Sequence, residues 1–283
     1  MTAKPPPRAS RRRMTPARSP LVRPTSLVQP ASSVRPTASI PRITRHGVAR
    51  VISKLGLGSR TQAAGWVREG RVRVNCRVVR DPEHPVRQGM DRLEVDGRES
   101  APTQRLVLML NKPRGLVTTT RDEKGRETVY GCFAEAGLPW LAPIGRLDKA
   151  SEGLLLFCND PVWAARLTDP KSGPSKTYHV QIDCLPDAAL LRDLERGKES
   201  NGDFLRVRSA RCLRSGARNA WLEIILDEGR NRQIRRLLEA CGVSVIRLVR
   251  VAIGTLTLGE LGKGQWRMLT QKEIDSLVSD HLV

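Results

Sequence analysis

Nine prolines and ten Lys or Arg, with no Asp or Glu, fall within the first 45 residues. No other stretch limits the fold as much. Proline locks φ and removes a backbone donor, so neither a helix nor a sheet runs easily through such a segment. A single sign of charge and few apolar side chains leave little to offset the entropy of ordering. Residues 1–45 are therefore expected to be a disordered basic arm, and the core must come from the rest of the chain. By composition this Arg- and Ser-rich start also fits an organelle transit peptide, but its prolines oppose the amphipathic helix such peptides need. It lacks the apolar centre of a secretory signal, and no run of about 18 apolar residues offers a membrane span. A cytoplasmic protein with no membrane partner is the expectation.

The 283 residues carry a formal charge of +20, and without the arm 39 basic and 29 acidic side chains still leave +10. Such an excess points to a polyanion, either nucleic acid or an acidic membrane surface. Cys76, Cys132, Cys158, Cys184, Cys212 and Cys241 form no C-x-x-C pair, and His46, His84, His179 and His281 are scattered. Reduced, packed thiols are expected, with no metal and no cofactor.

From 46 to 103 the composition becomes globular. Val48, Val51, Ile52 and Leu55 recur at helical spacing, and Gly56 and Gly58 end that helix. Ser59 with Gln62 reads as a capping box for a second helix that reaches Gly70. Short strands follow at Val72–Asn75 and Leu93–Val95. Arg50, Lys54, Arg60, Arg68, Arg71, Arg73, Arg77 and Arg80 face a single acid, Glu69, between residues 46 and 80. That makes a phosphate-binding face, with Arg60, Arg68 and Arg71 as its candidates. The stretch LGLGSRTQAAGWVREGRVRVNCRVVRDP resembles the S4 RNA-binding domain.

Residues 104–277 mix strand-like segments (106–110, 153–157, 177–182, 221–226, 245–253) with helical ones (162–167, 187–195, 231–241) in irregular order. The absence of βαβ alternation favours an α+β fold. No phosphate loop, nucleophile elbow or zinc-deaminase pattern is present. Carboxylates, arginines and a few aromatics remain as the chemistry.

The segment PIGRLDKASEGLLL puts Asp148 in a charged loop before an apolar strand. By spacing alone it reads as a turn residue or a catalytic carboxylate. The pattern G-R-L-D-x-x-[ST]-x-G-L-L-L resembles the signature of pseudouridine synthases that modify small- and large-subunit ribosomal RNA. LMLNKPRG (108–115), KTYHV (176–180), EGRNRQIRR (228–236) and LVRVAIG (248–254) resemble further family motifs in order. The resemblance implies an α+β catalytic domain with a mixed, largely antiparallel sheet, ribosomal RNA as partner with the large subunit slightly favoured, and no cofactor or metal. A monomer is expected. It implies that Asp148 is the catalytic residue, that Tyr178 stacks on the flipped uracil and helps handle the C5 proton, that Arg146 holds the flipped nucleotide or the space it leaves, and that Leu248 forms an apolar wall under the base. A carboxylate taken into a base pocket is neutralised unless a cation accompanies it. Arg235, beside the apolar stripe Ile234, Leu237, Leu238 and Cys241, is expected to be that partner through its planar fork. Arg114, Lys176 and Arg250 are candidate phosphate contacts. Attack at C1′ and proton removal at C2′ both fit a single carboxylate. A rival reading is an inactive protein that only docks on ribosomal RNA. Ser151, where Thr is common, and Asn159-Asp160-Pro161, where Gly often follows the Asn-Asp pair, depart from the family pattern.

Overall fold

The computed structural model describes residues 45–279 except 89, 101–103 and 121. The expected basic arm lies outside the described residues apart from Arg45.

The chain begins with β1 (Arg45–Gly47), α1 (Val48–Lys54) and α2 (Arg60–Arg68). Five short strands follow: β2 (Val72–Val74), β3 (Arg77–Val79), β4 (Pro85–Arg87), β5 (Leu93–Val95) and β6 (Arg98–Glu99). The capping box forms as the spacing implies. The Gln62 amide donates to Ser59 Oγ at 3.1 Å, and the Ser59 amide donates to Gln62 Oε1 at 2.9 Å. Gly56 ends α1 at φ +76°, in the left-handed region. Strands β3-β2-β5-β6 form one sheet, and its apolar residues Val72, Val74, Val79 and Leu93 pack with Val48, Ile52, Ala63 and Val67.

The larger part contains β7 (Val107–Lys112), a 3-10 segment (Val129–Ala136), β8 (Ala142–Ile144), β9 (Glu152–Cys158), α3 (Pro161–Thr168) and β10 (Lys176–Ile182). It continues through α4 (Ala188–Arg196), the hairpin β11 (Lys198–Ser200) and β12 (Asp203–Leu205), β13 (Ser209–Ser215), β14 (Ala220–Leu226) and α5 (Gln233–Ala240). It closes with β15 (Val245–Ile253), β16 (Leu256–Thr257), β17 (Trp266–Met268) and α6 (Gln271–Ser279). Seven strands run in the order β13-β14-β10-β15-β9-β7-β17, with β8 and β16 pairing at the sides. Among the described strands of this sheet, only β15 and β9 pair in parallel. The sheet is mixed and largely antiparallel, as the resemblance implies.

Both faces of its middle are covered, which is why β9 reads as an unbroken apolar run rather than an alternation. Leu155 and Phe157 meet Ile234, Leu237 and Leu238 of α5 and Leu194 of α4 in one core. Leu154, Leu156 and Cys158 join Trp163 and Leu167 of α3 and Ile274 and Leu277 of α6 in the other. Each such side chain contributes about 1.5–3 kcal/mol by leaving water. Asp160 explains the departure beside Pro161: its carboxylate accepts from the amides of Val162 and Trp163 at 3.0 Å, and Pro161 occupies the first helical turn.

Gly153 is where the parallel pair closes. At φ +100°, a Cβ there would collide with the backbone of Arg250. The glycine of the S-E-G-L-L-L run therefore lets β15 approach β9. Several elements were missing from the sequence reading. β13 is an edge strand with Arg211, Cys212, Leu213, Arg214 and Ser215 all exposed, so its outer end shows no apolar alternation. The helix expected from Asn231 begins at Gln233, because Arg232 takes a left-handed conformation (φ 49°).

Candidate active site

A cleft of about 670 Å³ opens over the face of the large sheet that carries Tyr178. The register places Tyr178 of β10 directly beside Arg250 of β15, and Val180 beside Leu248. Side chains on paired positions share a face, so Tyr178, Leu248 and Arg250 point the same way, and all three line the cleft. The loop 145–148 and the loop 228–232 form other walls. Of the residues singled out in the sequence, Arg146, Asp148, Lys176, Tyr178, Leu248 and Arg250 come together here.

The loop bearing Asp148 is braced on almost every residue. Thr118 Oγ1 donates to the Leu147 carbonyl at 2.8 Å. The Gly115 amide donates to the Lys149 carbonyl at 2.8 Å. Arg235 Nη2 donates to the Ala150 carbonyl at 3.1 Å, and Lys112 Nζ to the Ser151 carbonyl at 2.8 Å. The Ser151 amide closes the turn on the Asp148 carbonyl at 2.9 Å. Five backbone carbonyls in a row are thus taken, and the carboxylate that projects from them is half-exposed.

This corrects the expected partner. Arg235 does not reach the Asp148 carboxylate within ion-pair distance; its guanidinium holds the carbonyls of Ala150 and Val245. Burial lowers its pKa, with Arg232 pushing the same way and Asp148 opposing. The cation near Asp148 is Arg232, with Nη1 at 3.8 Å from Oδ2. Helical spacing from Asn231 starts α5 two residues early and so puts Arg232 on a helix. The observed left-handed backbone instead places it on the rim. Such a conformation costs a non-glycine residue roughly 1 kcal/mol and collects at functional sites. Gln233, buried beneath, supports this turn: it accepts from the Arg230 amide at 3.0 Å and donates to the Arg206 carbonyl at 2.8 Å.

Lys112 was also missed. It is completely buried, and its Nζ bonds the Pro113 and Ser151 carbonyls. Burial pushes its pKa down to about 8, against the pull of Asp148 and Glu152. A lysine closing a wholly buried strand that opens on the apolar run Val107–Leu110 is the available signal. Arg250 lines the cleft from within the sheet: it is 6% exposed, and its Nε donates to the Leu154 carbonyl at 2.7 Å. Two phosphate candidates stand differently from expectation. Arg114 stays exposed and does not line the cleft. Arg71 is committed within its own sheet, held by Asp96 at 2.7 and 2.8 Å and by Glu69 at 3.2 Å, over the Trp66 ring. Arg60 and Arg68 are exposed on α2.

The geometry defines an enzyme-like cleft with one braced carboxylate, a tyrosine and a basic rim, joined in sequence to a small basic α/β unit. Residues 106–240 match the RNA pseudouridylate synthase family, and residues 48–93 match the S4 domain. The chain is 35% identical to an uncharacterized RNA pseudouridine synthase of Aquifex aeolicus, covering 81% of this chain and 92% of that protein. It is 36% identical to ribosomal large subunit pseudouridine synthase B of Bacillus subtilis, covering 82% and 96%. A crystal structure of a pseudouridylate synthase superimposes with a TM-score of 0.57 at 30% identity, covering 82% of this chain and all of that one. The chain belongs to the RNA pseudouridine synthase family and carries an S4 domain at its N-terminal side.

Proposed function

We propose that this synthase converts one uridine, or very few, in ribosomal RNA to pseudouridine, with Asp148 as the catalytic carboxylate. The observation that carries the reading is the braced loop: a carboxylate fixed by its own backbone opens into the same cleft as Tyr178 and Leu248. Rigid placement of a charged group is what a reaction with no bound cofactor needs most. The base leaves C1′, turns, and rejoins through C5. Tyr178 offers a ring for the extruded uracil to stack on, and Leu248 an apolar wall. Asp148 meets the sugar, where one carboxylate serves either attack at C1′ or proton removal at C2′. Arg232 orients it, while Arg235 acts through the Ala150 backbone as a positioning residue. Arg146 holds the nucleotide at the rim.

Large-subunit RNA comes first in this reading, supported by relatives that bear the name of a large-subunit enzyme. We assign residues 46–103, through the exposed Arg60 and Arg68, to docking on that RNA, and residues 104–277 to catalysis. The enzyme works as a cytoplasmic monomer in this reading.

The test is a carbodiimide map of ribosomal pseudouridines in a strain lacking the gene, complemented with the wild type or with Asp148→Asn. One site, or very few, should vanish on deletion, return with the wild type and stay absent with Asp148→Asn. An unchanged map, or a site restored by Asp148→Asn, overturns the proposal.

A further inference from the structure

Arg250 has a donor with nothing to give to. Its Nε is bonded to the Leu154 carbonyl, yet its Nη2 is buried and has no hydrogen-bond partner. The residue is 94% removed from solvent and lines the cleft. Buried guanidinium N–H groups are almost always paired, and each one left open carries a desolvation cost. Lys176 lies on the same wall, two residues before Tyr178 on β10. Burial lowers the pKa of Lys176, with Arg250 pushing the same way and Asp227 opposing. Among the described residues, neither has a carboxylate within ion-pair distance. Lys176 reaches only the Asp227 carbonyl, at 3.5 Å. Glu228, the other acid lining the cleft, is already bonded by Arg230 and Gln233. Two like charges on one wall of the cleft, one with an open N–H, form a site that is completed by an anion from outside.

We propose that Lys176 and Arg250 form a phosphate seat inside the cleft, which takes a phosphate flanking the extruded uridine. This deepens the reading of the cleft as a uridine site and rests on it. A uracil carbonyl satisfies the open N–H but leaves the two charges opposed. A phosphate oxygen does both, and guanidinium–phosphate hydrogen bonds are among the stronger ones. The seat also gives the enzyme a use for binding energy remote from the glycosidic bond. A phosphate anchored on the sheet, with the uracil on Tyr178, sets where the sugar stands relative to the braced carboxylate.

Titration of the full-length enzyme with uridine, uridine 5′-monophosphate and uridine 3′-monophosphate, followed by NMR, tests the seat. One of the monophosphates should bind at least about tenfold more tightly than uridine, as a charge-assisted contact implies. Lys176→Met should remove most of that advantage, Lys176→Arg should keep it, and uridine itself should bind all three proteins alike. Arg250→Gln should act like Lys176→Met. Because Arg250 also ties β15 to β9, melting temperatures accompany the titrations, and Lys176→Met decides the matter if Arg250→Gln does not fold. Equal binding of nucleoside and monophosphates, no saturable binding of any probe, or an advantage that survives Lys176→Met overturns the proposal. Equal weakening of uridine and its monophosphates by Arg250→Gln overturns it too, and points to a contact with the base. The pseudouridine map is scored independently, so a lost seat and a lost enzymatic reading are separate results.

Discussion

On α2 and the strands beside it, arginines stand in water; around the cleft, Lys112, Arg235 and Arg250 are buried or half-buried and bonded to backbone. Arg60, Arg68, Arg73 and Arg77 are all exposed. Arg71, itself held by Asp96, keeps 42% of its side chain open to solvent. Lys112 is fully buried, Arg250 is nearly so, and Arg235 spends its guanidinium on two carbonyls. The first arrangement suits long-range attraction to a polyanion, is screened by salt and needs little accuracy. The second holds one loop in one place. The contrast teaches that basic residues in this protein do two jobs, and that burial, not charge, separates them.

Four experiments break or sharpen that contrast. Asp148→Asn should lower kcat/KM by about a thousandfold or more, the range for removing a proton-transfer or nucleophilic group, with an unchanged melting temperature. A shared collapse of fold and activity would move Asp148 to the structural side.

Lys112→Met comes next. Losing the clamp on Ser151 should cut kcat about a hundredfold while KM stays within about threefold, as a small misplacement of a reacting group does. A rise in KM alone would put Lys112 with the arginines of α2. The wild type should also lose kcat as pH rises through about 8, when the buried ammonium gives up its proton, and Lys112→Met should lack that limb. Stability moves the other way. The folded-state pKa lies below the ordinary 10.5, so the charged lysine burdens the fold below about pH 8, and the burden lifts between there and 10.5. Chemical denaturation across that window checks the sign.

Gly153→Ala should destabilise the protein by about 2–4 kcal/mol in urea, because β15 crosses where the methyl would stand. Tolerance of alanine would mean that the strand crossing is looser than the packing shows. The smallest effects belong to the surface. Arg60→Glu and Arg68→Glu should each raise KM several-fold with kcat unchanged, and each should flatten the salt dependence of RNA binding by about one counterion.

Much of the scaffold was legible in the sequence, for reasons local to each segment. The spacing of Val48, Val51 and Ile52 found α1, and Ser59 with Gln62 found the start of α2. The alternation in 177–182 and 221–226 found β10 and β14, and the unbroken run in 153–157 found β9. β13 escaped because an edge strand with a solvated outer end carries no apolar period. The cleft was legible as a set of residues and misread as a set of contacts. Charge and a place beside an apolar stripe, both real, point to Arg235; its carbonyl partners, Ala150 and Val245, are main-chain groups that no side-chain pattern announces.

The amino-acid order alone determined most of the helices and strands, which residues are candidates for the chemistry, and a charge that suits a polyanion. These follow from periodicity, residue type and net charge, all of which act within a few positions or over the whole chain. The folded arrangement alone decided that Arg232 rather than Arg235 stands 3.8 Å from Asp148, that Lys112 clamps the loop, and that Arg250 lies beneath the surface with an open donor. Each of these depends on where distant backbone carbonyls end up once the sheet has closed. A hydrogen bond of about 3 Å is set by that closure and leaves no trace in the spacing of side chains.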